Sequence, residues 1–488
     1  MKTADRQPTY EELLAEVLLL RQELAQLRRQ LFGQRRERFI PSESGGQLTL
    51  GLDVEGASAA PVSDREEITY SRRKPAKAPT PHARQTLPAH LPRKEIIIEP
   101  TEDVSGCKKI GEEITEELEY EPGKLYVNRY IRPKYAKAGD EGVLIGLLPS
   151  RPIEKGMAGP GLIGHVLISK FVDHLPLYRQ CRQFKRLGVE IAESTLGGWV
   201  KGGYESLLPL YEAHGRKIFK SGYLMADETP IQVLDSEKKG SSHRGYFWVY
   251  LDVLEKEVYF DYRPTRGRDG PQEMLSDFRG FLQCDGYKIY DGYKKREDIT
   301  LVGCFAHARR KFVEAAGSDR QRSEWMLKRI QELYLIERQA KDQSLSYAAR
   351  HELRQAKALP ILKEIKVWLN GHYPQVLPKS PVGQAISYSL QQWPKLENYL
   401  LDGRLEIDNN LVENAIRPVA LGRKNYLFAG SHDGAKRAAL TYSLVVTAKL
   451  HEVEPFEYMK DILSRIADYP QLQIDDLLPG NWKHKFKS

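Results

Sequence analysis

The chain has 488 residues, 41% of them hydrophobic, which is material for about two to four domains with at least one large buried core. Lysine and arginine (74) outnumber aspartate and glutamate (66), a net +8 that matters through where the basic residues cluster and keeps a polyanionic partner open. Cys107, Cys181, Cys284 and Cys304 show no Cys-x-x-Cys spacing, so a disulfide scaffold and a zinc knuckle are not indicated and a reducing cytoplasm is expected. A polar N-terminus, and no apolar run near the roughly 20 residues a bilayer needs, argue against a signal peptide, a membrane span or a membrane partner.

Leu13, Val17, Leu20, Leu24, Leu27 and Leu31 alternate spacings of four and three, an a/d seam that predicts a short coiled coil and dimerisation, or higher oligomerisation, through residues 13–31. Residues 1–40 form this unit, and residues 41–93, rich in Gly, Ser and Pro with a basic stretch at Arg72 to Lys77, read as a flexible linker. Residues 94–155 alternate apolar and polar side chains up to Pro133, which predicts a small β module. Residues 156–215 predict a helix reaching Phe171, a second from Leu175 to Leu187 broken at Gly188, and a third capped by Ser194, the outline of a helix-turn-helix. Gly197 and Gly198 weaken that third helix.

From residue 216 the texture becomes β-rich. Strands are expected over Tyr223–Leu234, Gly245–Val253 and Glu257–Tyr262. A helix follows over Gln272–Phe278, a strand at Gly280–Cys284, a helical patch at Tyr287–Arg296 and a strand at Thr300–Cys304. This βββαβαβ order is that of a ribonuclease-H-like core, first part 216–316 and second part 403–445. Residues 317–402 form a helical insertion and 446–488 a helical tail. The fold class expected is therefore α+β and multidomain, an α/β catalytic core preceded by coiled coil, β module and helix-turn-helix-like region. Trp325, Trp368 and Trp393 in the insertion read as core rather than as base-stacking surfaces.

In such a topology the first and fourth strands lie side by side. Asp227, after Tyr-Leu-Met-Ala, and Asp285, after Phe-Leu-Gln-Cys, each interrupt an apolar strand with a carboxylate whose burial without a partner is costly. Either acid alone reads most simply as a turn or cap residue; the pair in this fold order points to metal. A third acid comes from Asp408-Asn409-Asn410-Leu411-Val412-Glu413, where Asp408 is expected to cap a helix and set Glu413 in its second turn, with Arg417 one turn on as an ordinary ion-pair partner or a phosphate contact. Two Asp and one Glu suit two Mg2+ ions, with Mn2+ able to substitute, and in-line phosphoryl transfer without a covalent protein intermediate. His307, Arg309, Arg310 and Lys311, then Asn409, Arg417, Arg423 and Lys424, are the candidate DNA contacts.

Several blocks together resemble the large transposase of the insertion-sequence-66 family. They are the N-terminal helix ending in Leu-Phe-Gly (31–33), Ala-Asp-Glu-Thr-Pro (226–230) and Gly-Cys-Phe-Ala-His-Ala-Arg-Arg-Lys-Phe (303–312). Asp-Asn-Asn-Leu-Val-Glu-Asn-Ala-Ile-Arg-Pro (408–418), Gly-Arg-Lys-Asn-Tyr-Leu-Phe-Ala-Gly-Ser (422–431) and Asp-Leu-Leu-Pro (476–479) complete the set. The resemblance implies a bacterial DDE transposase that cleaves the terminal inverted repeats of its own element and joins them to target DNA. Asp227, Asp285 and Glu413 would be its catalytic and metal-holding positions, with accessory proteins of the same element as partners. The family commonly carries a small zinc module built on paired cysteines; here only Cys107 stands in that region, so no zinc is expected.

Three other readings stay open at this stage. A tyrosine recombinase would use one of the 26 tyrosines beside His307, Arg309 and Arg310, and would tolerate EDTA. A non-catalytic DNA-binding dimer acting as a regulator would account for the first 200 residues. A hydrolytic nuclease on the same core would cut DNA without joining it.

Overall fold

A computed structural model of the chain describes residues 123, 125–131, 134–136, 143–145, 149–154, 156–234 and 241–486. The expected coiled coil, the linker and most of the β module lie outside them. The described residues belong to one compact unit, Tyr120–Ser488. Among them no helix is long and apolar enough to cross a membrane.

Strands β1 (Lys134–Ala136) and β2 (Val143–Ile145) pair antiparallel with Tyr135 opposite Leu144. Three helices follow, α1 (Pro160–Phe171), α2 (Leu177–Arg186) and α3 (Glu193–Ile218). Contrary to the expected Ser194 cap, the cap of α3 is Ala192, two residues earlier, without a side-chain bond, and the helix runs 26 residues through its glycines. Packing overrides propensity here: a Cβ on Gly203 would lie 3.1 Å from the Ile163 side chain of α1, so the missing side chain is what lets the two helices close.

The sheet contains β3 (Tyr223–Leu234), β4 (Ser242–Asp252), β5 (Glu257–Arg263), β6 (Gly280–Cys284) and β7 (Ile299–Val302) in the order β5-β4-β3-β6-β7. The pairs β3–β4 and β4–β5 are antiparallel, and β3–β6 and β6–β7 parallel. Short helix α4 (Asp269–Met274) and a 3-10 segment (Lys288–Lys295) fill the connections, the latter where an α-helical patch was expected. Pro230 is tolerated inside β3 because β6 ends at Cys284, opposite Ala226, and leaves that side of β3 without a β6 partner beyond this point.

After β7 come α5 (Phe305–Ala315), α6 (Arg320–Asp342), α7 (Tyr347–Leu353), α8 (Leu359–His372) and α9 (Pro381–Leu396). The chain then returns to the sheet as α10 (Asn410–Tyr426) and α11 (His432–Leu450), and ends with α12 (Pro455–Arg465) and α13 (Pro479–Phe486). Helix α11 covers the edge strand β5: Val258 N–H donates to Thr447 Oγ1 at 3.0 Å and Phe260 N–H to Ser443 Oγ at 2.8 Å. Two hydroxyls one turn apart thus satisfy an edge that would otherwise seek another strand. Trp393 is buried, whereas Trp325 and Trp368 are half-buried and stack on each other at 4.6 Å.

The insertion is locked to the return segment by one fully buried arginine. Arg354 donates to both Glu337 oxygens at 2.8 and 2.9 Å, and to the carbonyls of Tyr399, Asp402 and Leu405 at 2.8, 2.9 and 2.6 Å. Its five N–H donors therefore meet five acceptors, the condition under which a buried charge is tolerated. Arg350 extends the network from Glu337 to Glu406. Replacing Arg354 with Met leaves Glu337 to Arg350 alone and strands three buried carbonyls, and urea unfolding should show a loss of about 3–5 kcal/mol, against a much smaller loss for Arg320→Met on the exposed face of α6.

Candidate active site

Parallel register places the first two acids. Ala226 of β3 is level with Cys284 of β6, so Asp227 and Asp285 are the next residue on each strand, at the edge where the parallel pairing stops. That edge, beyond the carboxyl ends of parallel strands, is where open α/β sheets bind ligands. Side chains alternate along a strand. Tyr223, Met225 and Asp227 face one side, and so does Gln283, which donates to the carbonyls of Gly303 at 3.1 Å and Glu406 at 2.9 Å. Tyr223 completes this buried network: its hydroxyl donates to Gln283 Oε1 and accepts from Glu406 N–H at 3.0 Å. The segment leading into α10 is thereby fixed to the face that carries Asp227.

Helix α10 begins one residue later than expected. Asn409 is its N-cap, without a side-chain bond, and Glu413 lies in the first turn rather than the second. Asp408 is instead held from the insertion, where Tyr334 OH donates to Oδ2 at 2.6 Å while Asn410 N–H donates to Oδ1 at 3.1 Å. No salt bridge joins Glu413 to Arg417 among the described residues. Glu413 faces His307, whose Nε2 stands 3.9 Å from Oε1. The other ring nitrogen of His307 is 3.2 Å from Cys304 Sγ, which also accepts from Asn409 N–H at 3.4 Å, so one buried thiol ties the start of α5 to the start of α10.

The electrostatics of Asp227 follow from this crowding. Burial, then Glu228, Asp285 and Glu413, push its carboxyl up to about 8, against a weaker pull from the Glu228 N–H, which donates to Oδ1 at 2.8 Å. The three acids are neighbours without forming a closed cage: among the described residues no group of three His, Cys, Asp or Glu side chains is drawn together tightly enough to hold one ion. Their donor set, carboxylate oxygens beside an unsatisfied negative charge, nevertheless fits a hard divalent cation.

Several residues of the site were not anticipated. Glu228 points to the opposite face and pairs with Arg266, whose guanidinium lies 3.9 Å from the centre of the Tyr287 ring. Tyr287 N–H donates to Asp285 Oδ1 at 2.9 Å, so the Arg266 stack bears on the second acid. From α9, Tyr388 occupies the space a Cβ on Gly286 would need, at 2.6 Å from its hydroxyl. The Asp-Glu doublet is the signal in the sequence for the first pair; Tyr388 has none. Among the expected DNA contacts, Arg423 is occupied within the protein, donating to Thr229 Oγ1 at 3.0 Å and to the Pro230 carbonyl. Lys311, Arg417 and Lys424 are exposed, and His307, Arg309 and Arg310 half-buried on α5. Asn409 is fully buried, its side-chain amide without a hydrogen-bond partner among the described residues.

Residues 155–437 match the family model described as the transposase IS66 family, and 443–479 match the IS66 C-terminal element. The chain belongs to the IS66 transposase family. Residues 19–96 further match the model described as transposase C of IS166 homeodomain. Relatives in Sinorhizobium fredii (strain NBRC 101917 / NGR234) include the uncharacterized protein y4jD, 33% identical over 498 residues, covering 97% of this chain and 96% of the relative. The uncharacterized protein y4hP is 31% identical over 506 residues, covering 96% and 89%.

One expectation about this IS66-family chain is corrected. Residues 105–136 match the zinc-finger binding domain of transposase IS66, at odds with the expected absence of zinc. Strand β1 lies at the end of the matched segment.

Because the folded pKa of Asp227 is raised above its ordinary 3.8, the stability it lends the metal-free protein is complete below about pH 4 and is lost as pH rises through about 8. Thermal melts in EDTA should therefore fall from pH 6 to pH 8.5, and Asp227→Asn should flatten that slope. An unchanged slope in the variant would show that Asp227 does not carry the strain.

Proposed function

We propose that this IS66-family protein is a DDE transposase that cleaves DNA at the ends of its element and joins them to target DNA, with Asp227, Asp285 and Glu413 as the metal-holding acids of a ribonuclease-H-like core. The observation that carries the reading is the register: two acids one step past the end of a parallel strand pair, with a third whose charge helps push the carboxyl of the first upward. The strand order β5-β4-β3-β6-β7, with β4 antiparallel to its neighbours, supports the core assignment.

Asp227, Asp285 and Glu413 would hold two Mg2+ ions, with Mn2+ as a substitute. Bound there, such ions supply charge neutralisation on the phosphoryl group and on the attacking and leaving oxygens. The protein contributes position. Tyr287 N–H orients Asp285, the Glu228 N–H orients Asp227, and His307 stands beside Glu413, where it can turn that carboxylate toward the aspartates. Lys311, Arg417 and Lys424 would neutralise backbone phosphates and hold the duplex in register without reading sequence. Since phosphoryl transfer asks mainly for positioning and electrostatics, the 3′ hydroxyl freed by a first hydrolysis can serve as nucleophile toward target DNA in the same site. Terminal inverted repeats and target DNA would be the substrates, with dimerisation through residues 13–31 and accessory proteins of the element completing the assembly.

The decisive assay incubates labelled element-end DNA with the protein and Mn2+. Cleavage and strand transfer should vanish in EDTA. They should fall by at least about a hundredfold in Asp227→Ala, Asp285→Ala and Glu413→Ala, the scale on which loss of one preorganised electrostatic group acts. Full activity of Asp285→Asn, or of wild type in EDTA, would point instead to a tyrosine nucleophile; cleavage without any joined product would point to a hydrolytic nuclease.

A further inference from the structure

At the C-terminal end of α10 the backbone adopts a conformation that leucine resists. Leu427 has φ 61° and ψ −44°, and Phe428 N–H donates to the Tyr426 carbonyl at 2.6 Å. This is the i to i+2 bond of a γ-turn with its central residue at positive φ, the rare and strained kind. A side chain other than glycine persists there only where its surroundings impose it.

The surroundings do so from both sides. Ala429 N–H donates to the Gln232 carbonyl at 2.8 Å, and Leu234 N–H to the Ala429 carbonyl at 2.9 Å, a parallel bridge onto the far end of β3. One turn before the tip, Arg423 is bound to Thr229 and Pro230 of the same strand. Held between these anchors, Leu427 is 66% exposed and Phe428 42% exposed. A small apolar tip is thus presented to solvent by a backbone that is strained to present it.

The tip ends a particular helix face. Val412, Ala415, Ile416, Val419 and Gly422 bury α10 against the core, while Asn414, Arg417, Leu421 and Lys424 follow one another along its outward side. From Glu413 to Leu427 the helix advances about 21 Å at 1.5 Å per residue, or about six base-pair steps of a duplex. The nearest acid beyond the tip, Asp433, is paired with Lys436 at 3.4 Å, and His432 is engaged by Tyr262 OH at 2.7 Å. Two apolar side chains at the end of a basic face fall far short of the roughly 20–30 residues a side that a stable protein interface uses. A stacked base step takes one or two such wedges and kinks around them.

We propose that Leu427 and Phe428 form a wedge that enters between stacked base pairs of duplex DNA, about six steps from the cleaved phosphodiester, while Arg417 and Lys424 hold the intervening phosphates. The proposal rests on the reading of the chain as a DNA transposase. Unstacking at that step would bend the duplex onto α10 and bring its backbone toward the acids.

The test uses the full-length protein and element-end duplexes with 2-aminopurine placed in turn at each step within about ten base pairs of the cut site. Wild type should raise the fluorescence severalfold at one step. The double variant Leu427→Ala, Phe428→Ala should abolish that rise and bind intact duplex about tenfold more weakly, yet recover affinity on a duplex carrying an abasic site at the same step, where stacking is already broken. Leu427→Gly relieves the backbone and should melt no lower than wild type while lowering the signal, which separates loss of the wedge from loss of the fold. The wedge is overturned if the double variant keeps the full rise, or if wild type cleaves the duplex in Mn2+ with no step unstacked. If wild type neither binds nor cleaves element-end DNA, the transposase reading fails along with it.

Discussion

Burying Asp227 beside Glu228, Asp285 and Glu413 is the constraint around which the rest of the core is arranged. A carboxylate in an apolar strand loses its water, and each neighbouring negative charge adds to the cost, which is why its carboxyl is driven up to about 8. No ion pair to Asp227 is found among the described residues, and the nearby Arg266 guanidinium is spent on Glu228 on the other side of the strand. The fold sustains this unfavourable cluster because the elements carrying the acids are fixed largely by interactions of other residues. A parallel ladder fixes the aspartates, and a buried amide and phenol, Gln283 and Tyr223, fix the path to the glutamate.

The helical insertion belongs to the same arrangement. Its Arg354–Glu337 pair grips three consecutive stretches of the return loop, Arg350 grips Glu406, and Tyr334 grips Asp408, the residue before the cap of α10. From the sheet side, Cys304 reaches the cap itself. A segment so over-determined loses little conformational freedom on binding substrate or ion, because it has little left to lose, and preorganisation of this sort is what electrostatic catalysis requires. Tyr388 against Gly286 suggests that α9 performs a similar service for the second acid.

The parts of this arrangement legible in the sequence are those set by local rules. Strand β3 lies where alternation and apolar content placed it, and Asp227 and Asp285 stood out as carboxylates interrupting apolar runs. What escaped was set by contacts from afar. Asp408 has the composition of an N-cap and one of its oxygens does accept from Asn410 N–H, but the other is held by Tyr334, a residue of the insertion, and the helix starts beyond it. Glycines 197 and 198 argued against a long α3, yet the helix continues because its neighbour Gly203 packs into α1. Arg423 looked free for phosphate in a basic run, and only the folded chain shows its donors turned onto β3. The absence of paired cysteines suggested no zinc, and the family match over residues 105–136 corrects that expectation.

Helix α10 emerges as a rod secured at both ends. Its first turn is tied through Cys304, His307 and Asp408, and its last through Arg423 and the Ala429 bridge to β3. Its buried face is made of small and branched side chains that seat it closely on the sheet, so it cannot tilt at one end without disturbing the other. Strain at Leu427 sits where the chain leaves the helix and meets β3 within three residues. Any force that DNA exerts on the exposed end of α10 would then be felt at Glu413, about 21 Å away along one rigid element. On the proposed reading, one helix would both measure a duplex and carry an acid, linking binding geometry to the assembly of the site without a separate signalling path.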